Sequence, residues 1–267
     1  GPEADKGGYD GASFWARGGV AGLFPGDAEG WPQGQPSPAF GDVMGGLATA
    51  GAIAAALLKR ERTGEPSVID VSLLATAMWQ ASPLVVAAKL FGLGSFPPRD
   101  RTKAANPGVN AYCTSDGRHI MLILLQPDKF WADLAERLER PELASDPRFA
   151  DAVSRAEHCT ECIAILDEAF GSQPLAHWRE ALDEFTGVWA PFQSLIELYD
   201  DPQVIANGYL PTMTAGNGEE VQLVASPAMF DEEPVTVERG PEHGEHTEAV
   251  LLDLGLPAPC TSRGELA

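Results

Sequence analysis

Apolar positions are spaced differently in successive stretches of the chain, and each spacing predicts an element. Within the first forty residues only 9–20 show helical spacing, whereas 22–40, rich in Gly and Pro, reads as an ordered loop. From Asp42 the chain becomes a long run of Gly, Ala and Leu that ends in Lys59-Arg60-Glu61-Arg62-Thr63-Gly64. An acidic start, cations in the last turn and Gly just past the end are helix start and stop signals. Because this helix is small and apolar on nearly every face, it is expected to be buried and tightly packed. Glu65-Pro66 makes a turn, Ser67-Val68-Ile69-Asp70-Val71-Ser72 reads as a short strand, and 73–91 as a second apolar helix. Strand and helix in alternation point to an α/β layer.

Residues 92–108 read as a linker, with Pro97, Pro98, Pro107 and the charges from Arg99 to Lys103. Beyond it, 110–114 and 118–125 flank Ser115-Asp116-Gly117, which predicts a hairpin around an Asp-Gly turn. Residues 130–140 form an amphipathic helix with Phe130, Leu134 and Leu138 on one stripe, and 157–170 and 175–185 are two further helices. A short extended piece at 188–192 precedes helical turns at 194–199 and 203–208. Residues 210–214 and 221–224 are placed to pair around Gly216-Asn217-Gly218, and 246–254 is an amphipathic helix closed by Gly255. No internal repeat is visible. The linker divides the chain into a first lobe at 1–105 and a smaller α+β lobe at 106–205. A composition shift near 206–230 is expected to return 206–267 to the first lobe.

Composition narrows the function. With 267 residues, 44% hydrophobic and 21% charged, the chain has globular usage and enough length for one large or two ordinary domains. Lys plus Arg number 18 against 39 Asp plus Glu, a formal charge of −21 that repels phosphate backbones and anionic bilayers. Neither nucleic acid nor a membrane is therefore expected as a partner, and the uncharged run 45–58 is shorter than a membrane span. Four cysteines are too few for a disulfide scaffold, and no secretory leader is visible, so a cytoplasmic protein is expected. The chain opens on Gly1 rather than Met and reads as starting part-way through a larger parent.

Asp42 is the first chemical candidate. It follows Gly41 and precedes Met44-Gly45-Gly46 at the mouth of the small-residue helix. One reading makes it a plain N-cap. The other makes it a carboxylate nucleophile, kept ionised by the helix end and reached by substrate over the glycines. Cys159 and Cys162, after His158, have the spacing of half a zinc site, but Cys113 and Cys260 are single and distant, so helix packing is the plainer reading and no metal is expected. His119 and His177 read as structural, and His243 and His246 as flanking the last helix. The G-x-G-x-x-G, Walker, G-x-S-x-G and H-E-x-x-H patterns are all missing.

Taken together, several strings resemble the family III CoA transferases. They are Gly41-Asp42 with its Gly/Ala helix, Lys59-Arg60-Glu61-Arg62-Thr63-Gly64, and Val68-Ile69-Asp70-Val71-Ser72-Leu73. The likeness continues through Asn106-Pro107, Asp116-Gly117-Arg118, Phe130-Trp131, Arg140-Pro141-Glu142-Leu143, Asp146-Pro147-Arg148-Phe149, Asp201-Pro202-Gln203 and Gly244-Glu245-His246-Thr247. The resemblance implies an α/β fold: part of a Rossmann-like large domain plus a smaller α+β domain, in an interlocked dimer. It also implies transfer of CoA from an acyl-CoA to a carboxylic acid through an aspartyl-CoA thioester. Asp42 matches the catalytic aspartate, and coenzyme A enters as substrate. Leu73 is the matching CoA contact, Tyr9 is a further candidate for CoA binding, and the amides near Gly45 and Gly46 are candidates to bind a developing oxyanion.

Departures narrow the choice within that family. Where its racemases carry a His in the counterpart of Gly8-Tyr9-Asp10, this chain has Tyr9, and where they carry a Glu it has Gln126. Neither replacement titrates as the original does near neutral pH, which favours transferase over racemase. The glycine run of the formyl-CoA subgroup is missing between Phe91 and Tyr112, and the transferases' lysine just ahead of the tyrosine would fall at Gly7. The family's N-terminal half would precede Gly1, so a homodimer or a complex with that half is expected. The alternatives are an acyl-CoA racemase or isomerase, and a non-catalytic half that needs a partner chain to bind CoA. Tyr9, Phe14 and Trp15 read equally as an acyl pocket or as core.

Overall fold

A left-handed residue, Ala39 (φ 57°), turns the chain into its longest helix, α1 (Phe40–Thr63), in a computed structural model that describes residues 1–257 apart from 4, 25, 28 and 95–99. Gly64 closes α1 in the left-handed conformation (φ 74°), donating its N–H to the Arg60 carbonyl at 2.8 Å. Pro97, Pro98, Arg99 and Cys260 lie outside the described residues. The chain divides into two compact units, Gly1–Ala104 and Ala105–Ala267.

In the first unit Ser72 caps α2 (Leu73–Gln80), its Oγ accepting the Ala75 N–H at 3.1 Å. The single helix expected at 73–91 is broken at Ala81, where α2 and α3 (Ser82–Phe91) bend by 72°. Pro83 explains the break: it brings no N–H, and its ring crowds the preceding turn. The strand expected at 67–72 is extended but pairs with no other strand among the described residues, and Val68 is 93% exposed. A strand needs a neighbour's N–H and C=O groups, and the described residues of this unit supply none, so no α/β layer is seen among them.

The core of the unit is Phe14, Trp15, Val20 and Ala77, with Phe40, Met44 and Leu73 packed against it. Phe14 and Trp15 belong to a π-helical turn (Gly11–Ala16) and meet Phe40 edge-on at 6.3 and 6.1 Å. Both are therefore core, which resolves that ambiguity. Contrary to expectation, Gly41 is the only buried residue of α1; Leu47, Ile53, Leu57 and Leu58 are exposed. Small residues permit close packing but do not supply a partner, and only one side of α1 finds one, in α2 and the π-helical turn. Nor does the length argument against a membrane span hold: an 18-residue window of α1 has mean hydropathy 1.5, which by length and composition suffices to cross a bilayer.

The second unit carries the sheets. β1 (Val109–Cys113) and β2 (His119–Ile123) form the expected hairpin, with Val109 opposite Ile123 and Gly117 (φ 76°) in the turn. β3 (Trp189–Pro191) adds antiparallel to β2, and β4 (Thr212–Thr214) pairs with β5 (Glu220–Gln222) in a separate two-stranded sheet. The helices of this unit include α4 (Pro127–Arg137), α5 (Ala152–Glu157), α6 (Cys159–Gly171), which packs on β1, and α7 (Leu175–Ala181). α4 buries Trp131, Leu134 and Ala135, with Leu138 just beyond it; Leu134 and Leu138 of the expected stripe are core, while Phe130 is only half-buried and Trp131 takes its place. Tyr112, Ile120, Leu122, Leu166, Phe170 and Trp178 make the core, Tyr112 stacking on Phe170 at 5.1 Å.

One cation is buried in this core. Arg155, 1% exposed, donates to the Phe149 carbonyl (2.6 Å) and to the Asp128 carboxylate, and lies 4.7 Å over the Trp131 ring. Short helices α8 (Pro202–Ala206), capped by Asp201, and α9 (Thr247–Asp253), closed by Gly255, complete the unit. Residues 206–267 cluster with 105–205 in this chain, and their return to the large lobe is retained as a proposal about the complete protein.

Candidate active site

The start of α1 is held from outside the helix. Asp10, 6% exposed, accepts the Gly41 N–H through both carboxylate oxygens at 3.0 and 3.1 Å, and Gln35 Nε2 donates to Asp10 Oδ2 at 3.3 Å. Gly41 is a glycine because a Cβ there would strike the Phe14 ring and the Asp10 carboxylate, with the Phe14 Cβ only 2.6 Å away. The loop before α1 is tied down a second time, by Trp15 Nε1 donating to the Gln33 carbonyl at 2.8 Å.

Asp42 is thus not the N-cap. Ala39 occupies that position and gives no side-chain cap, while Asp42 lies inside the first turn. Its side chain is exposed and has no hydrogen-bond or ionic partner among the described residues. Its own N–H and that of Phe40 are also without a partner there, as expected of the first turn of a helix. Asp42 thus presents a free carboxylate on a helix N-terminus beside unsatisfied donors.

By helical spacing Gly45 and Gly46 share a face with Asp42, three and four residues on. Their N–H groups lie within α1, where the i→i−4 ladder engages them. What the two glycines contribute is room: a Cβ at Gly46 would meet nothing within 4 Å, and one at Gly45 would sit 3.5 Å from Leu73 Cδ2. Leu73 is thereby brought against α1 at Gly45. Tyr9, next to Asp10, is 86% exposed, and its carbonyl accepts the N–H groups of Ala12 and Ser13.

The remaining candidates do not gather. Cys162 is buried in α6, and burial pushes its thiol up to about 12, so it is chemically quiet. His158 faces Glu161 at 3.5 Å, and His177 meets the Trp178 ring edge-on at 4.9 Å. Among the described residues no group of three or more His, Cys, Asp and Glu is placed to hold a metal ion. Gln126 is exposed at the start of α4 in the second unit. Asp10 and Gln35 escaped the sequence reading; the signal for Asp10 was its place in Gly8-Tyr9-Asp10, and Gln35 sits in a Pro-rich loop that gives none.

The chain is similar to known proteins over most of its length. A sequence profile described as CoA-transferase family III matches residues 1–247. The (R)-2-hydroxy-4-methylpentanoate CoA-transferase of Clostridioides difficile is 32% identical over 96% of this chain and 63% of its own length. The cinnamoyl-CoA:phenyllactate CoA-transferase of Clostridium sporogenes is 28% identical over 96% of this chain and 62% of its own. Among solved structures, a CAIB/BAIF family protein from Brucella suis superposes with TM-score 0.72 at 26% identity, covering 95% of this chain and 65% of that one. Rv3272 from Mycobacterium tuberculosis gives TM-score 0.72 at 26% identity over 92% and 64%. The chain spans less than two thirds of the length of these relatives.

Proposed function

The chain belongs to CoA-transferase family III, and from that premise we propose that it carries the nucleophile of an enzyme moving CoA from an acyl-CoA thioester to a carboxylic acid. The observation that carries this reading is the Asp42 carboxylate, exposed and unpaired in the first turn of a 24-residue helix. Such a position leaves the carboxylate open to attack a carbonyl.

In the proposed course an Asp42 oxygen attacks the thioester carbonyl and the C–S bond breaks, giving a mixed anhydride and CoA thiolate. The thiolate attacks the aspartyl carbonyl, releasing the acyl group as a free carboxylate and leaving an aspartyl-CoA thioester. The acceptor carboxylate then attacks that thioester, forming a second anhydride and freeing the thiolate. Attack of the thiolate on the acceptor acyl carbon yields the new acyl-CoA and restores Asp42. Each difficult transfer is split into easier exchanges. The unpaired Asp42 N–H is the donor suited to the oxyanion, in place of the amides at 45 and 46. Gly45 and Gly46 let the thioester approach, and Tyr9 and Leu73 are the proposed flanking contacts.

Two relatives are named for acids with branched or aromatic apolar bodies, and that class is the first to assay. Tyr9 and Gln126 in place of titrating groups disfavour α-proton exchange. The exposed Leu47, Ile53, Leu57, Trp79 and Phe91 support a homodimer, or a complex with the rest of the family's length, over those faces. With that cover no membrane is needed, and a cytoplasmic location is proposed.

The test is to incubate the complete enzyme with acyl-CoA and map the adduct by mass spectrometry. CoA bound at Asp42, replaced there by a hydroxamate after hydroxylamine, is the expected result. Transfer without any adduct at Asp42, or with Asp42→Asn still active, would overturn it.

A further inference from the structure

Asp10 is the only acidic residue buried in the described structure, and no cation faces it. Both its oxygens go to one N–H, that of Gly41, and one of them also takes the Gln35 amide. Gln35 Oε1 is itself buried without a hydrogen-bond partner. Burying an anion away from cations is costly, and a cap on an ordinary helix needs only one exposed oxygen. Here the cap comes from a residue 31 positions upstream, fixing the first turn of α1 relative to the π-helical turn. The held residue directly precedes Asp42.

We propose that Asp10 and Gln35 are positioning residues: Asp10 sets the first turn of α1, Gln35 holds Asp10, and together they aim the Asp42 carboxylate at the thioester. The inference rests on Asp42 being the nucleophile. The geometry has a chemical consequence for substitution. In Asp10→Asn, the Asn oxygen still accepts the Gly41 N–H, and its NH₂ finds the orphaned Gln35 Oε1. The lock therefore survives that change and is lost in Asp10→Ala. Gln35→Ala frees Asp10 without touching Gly41, and so tests the relay even if Asp10→Ala folds poorly.

The experiment measures kcat, KM for acyl-CoA and the single-turnover rate of Asp42 adduct formation in the complete enzyme, beside thermal unfolding. Asp10→Ala is expected to lower kcat and the adduct rate about 10- to 100-fold with KM within about twofold, as for a reacting group misplaced by about 1 Å. Gln35→Ala should lower both by about 3- to 10-fold, and Asp10→Asn should keep at least about half the activity. Normal adduct rates in folded Asp10→Ala and Gln35→Ala would overturn the positioning role while leaving Asp42 as nucleophile. Loss in Asp10→Asn equal to that in Asp10→Ala would also overturn it. An active Asp42→Asn enzyme would instead remove the reading on which the inference rests.

Discussion

The Asp10 carboxylate and the Gly41 N–H meet at 3.0 and 3.1 Å, joining the π-helical turn to the first turn of α1. The contact exists because residue 41 has no side chain. Gly41→Ala drives a methyl into the Phe14 ring and the Asp10 carboxylate, so core and cap are strained together. A loss of about 2–4 kcal/mol is expected, summing overpacking and a weakened cap, read as a shift in the urea midpoint. An unchanged midpoint would show that the π-helical turn relaxes freely.

Gly46 makes the opposite prediction. Its Cβ direction is open, and Ala is the better helix former, so Gly46→Ala should stabilise the protein by about 1 kcal/mol. On the proposed mechanism the same methyl stands on the face of approach to Asp42, and KM for acyl-CoA should rise. A variant more stable with unaltered KM would remove Gly46 from the substrate path.

Much of the second unit was legible from the sequence because its signals are local. Asp116-Gly117 defines a hairpin, and Pro202 and Gly255 punctuate helices, wherever the rest of the chain lies. The first unit was less legible for a physical reason. The segment 67–72 has strand composition, and α1 has the small residues of a packed helix, but both depend on neighbours that the described residues do not provide. Asp42 was recognisable as a candidate by its place before Gly45-Gly46. That Ala39 rather than Asp42 opens the helix was not, because the cap is drawn from Asp10 and no local pattern encodes it.

Arg155 offers a test of how the second unit is stapled. Arg155→Met keeps much of the volume over Trp131 and returns Asp128 to water, losing chiefly the bond to the Phe149 carbonyl, about 1–3 kcal/mol. Asp128→Ala leaves a buried guanidinium without its counter-charge and should cost about 3 kcal/mol or more. The ordering is checked by chemical denaturation of both variants. A milder effect of Asp128→Ala would mean that water replaces the carboxylate.

Glu197 gives a pH prediction. Its carboxylate accepts the Ser194 N–H and hydroxyl and pairs with Arg118, which holds it down at about 2. The folded value lies below the ordinary one, so the stabilisation is fully present above the usual carboxylate range. It is lost as pH falls from about 4.5 towards about 2. Carbon-detected NMR of the side chain should place the titration near the lower value, and Glu197→Gln should flatten that part of the acid-unfolding curve. A Glu197 midpoint above 4 would discount the Ser194 and Arg118 contacts in solution.

The decisive separation of structure from chemistry lies at Asp42. Because Ala39 is the N-cap and the Asp42 side chain makes no bond with the described residues, Asp42→Asn removes no structural contact. It forfeits only the favourable interaction of a charge with the helix end, a loss expected to stay within about 1 kcal/mol. Asp42→Ala should be similarly mild, which is not the pattern of a capping residue, where Ala costs more than Asn. Activity should behave otherwise. Neither an amide nor a methyl can attack a thioester as a carboxylate does, so both variants should fall to background while unfolding normally. Measuring midpoint and turnover on the same preparations decides between the roles. If stability drops in Ala but not Asn and transfer persists in both, Asp42 is a structural residue and the nucleophile must be sought elsewhere.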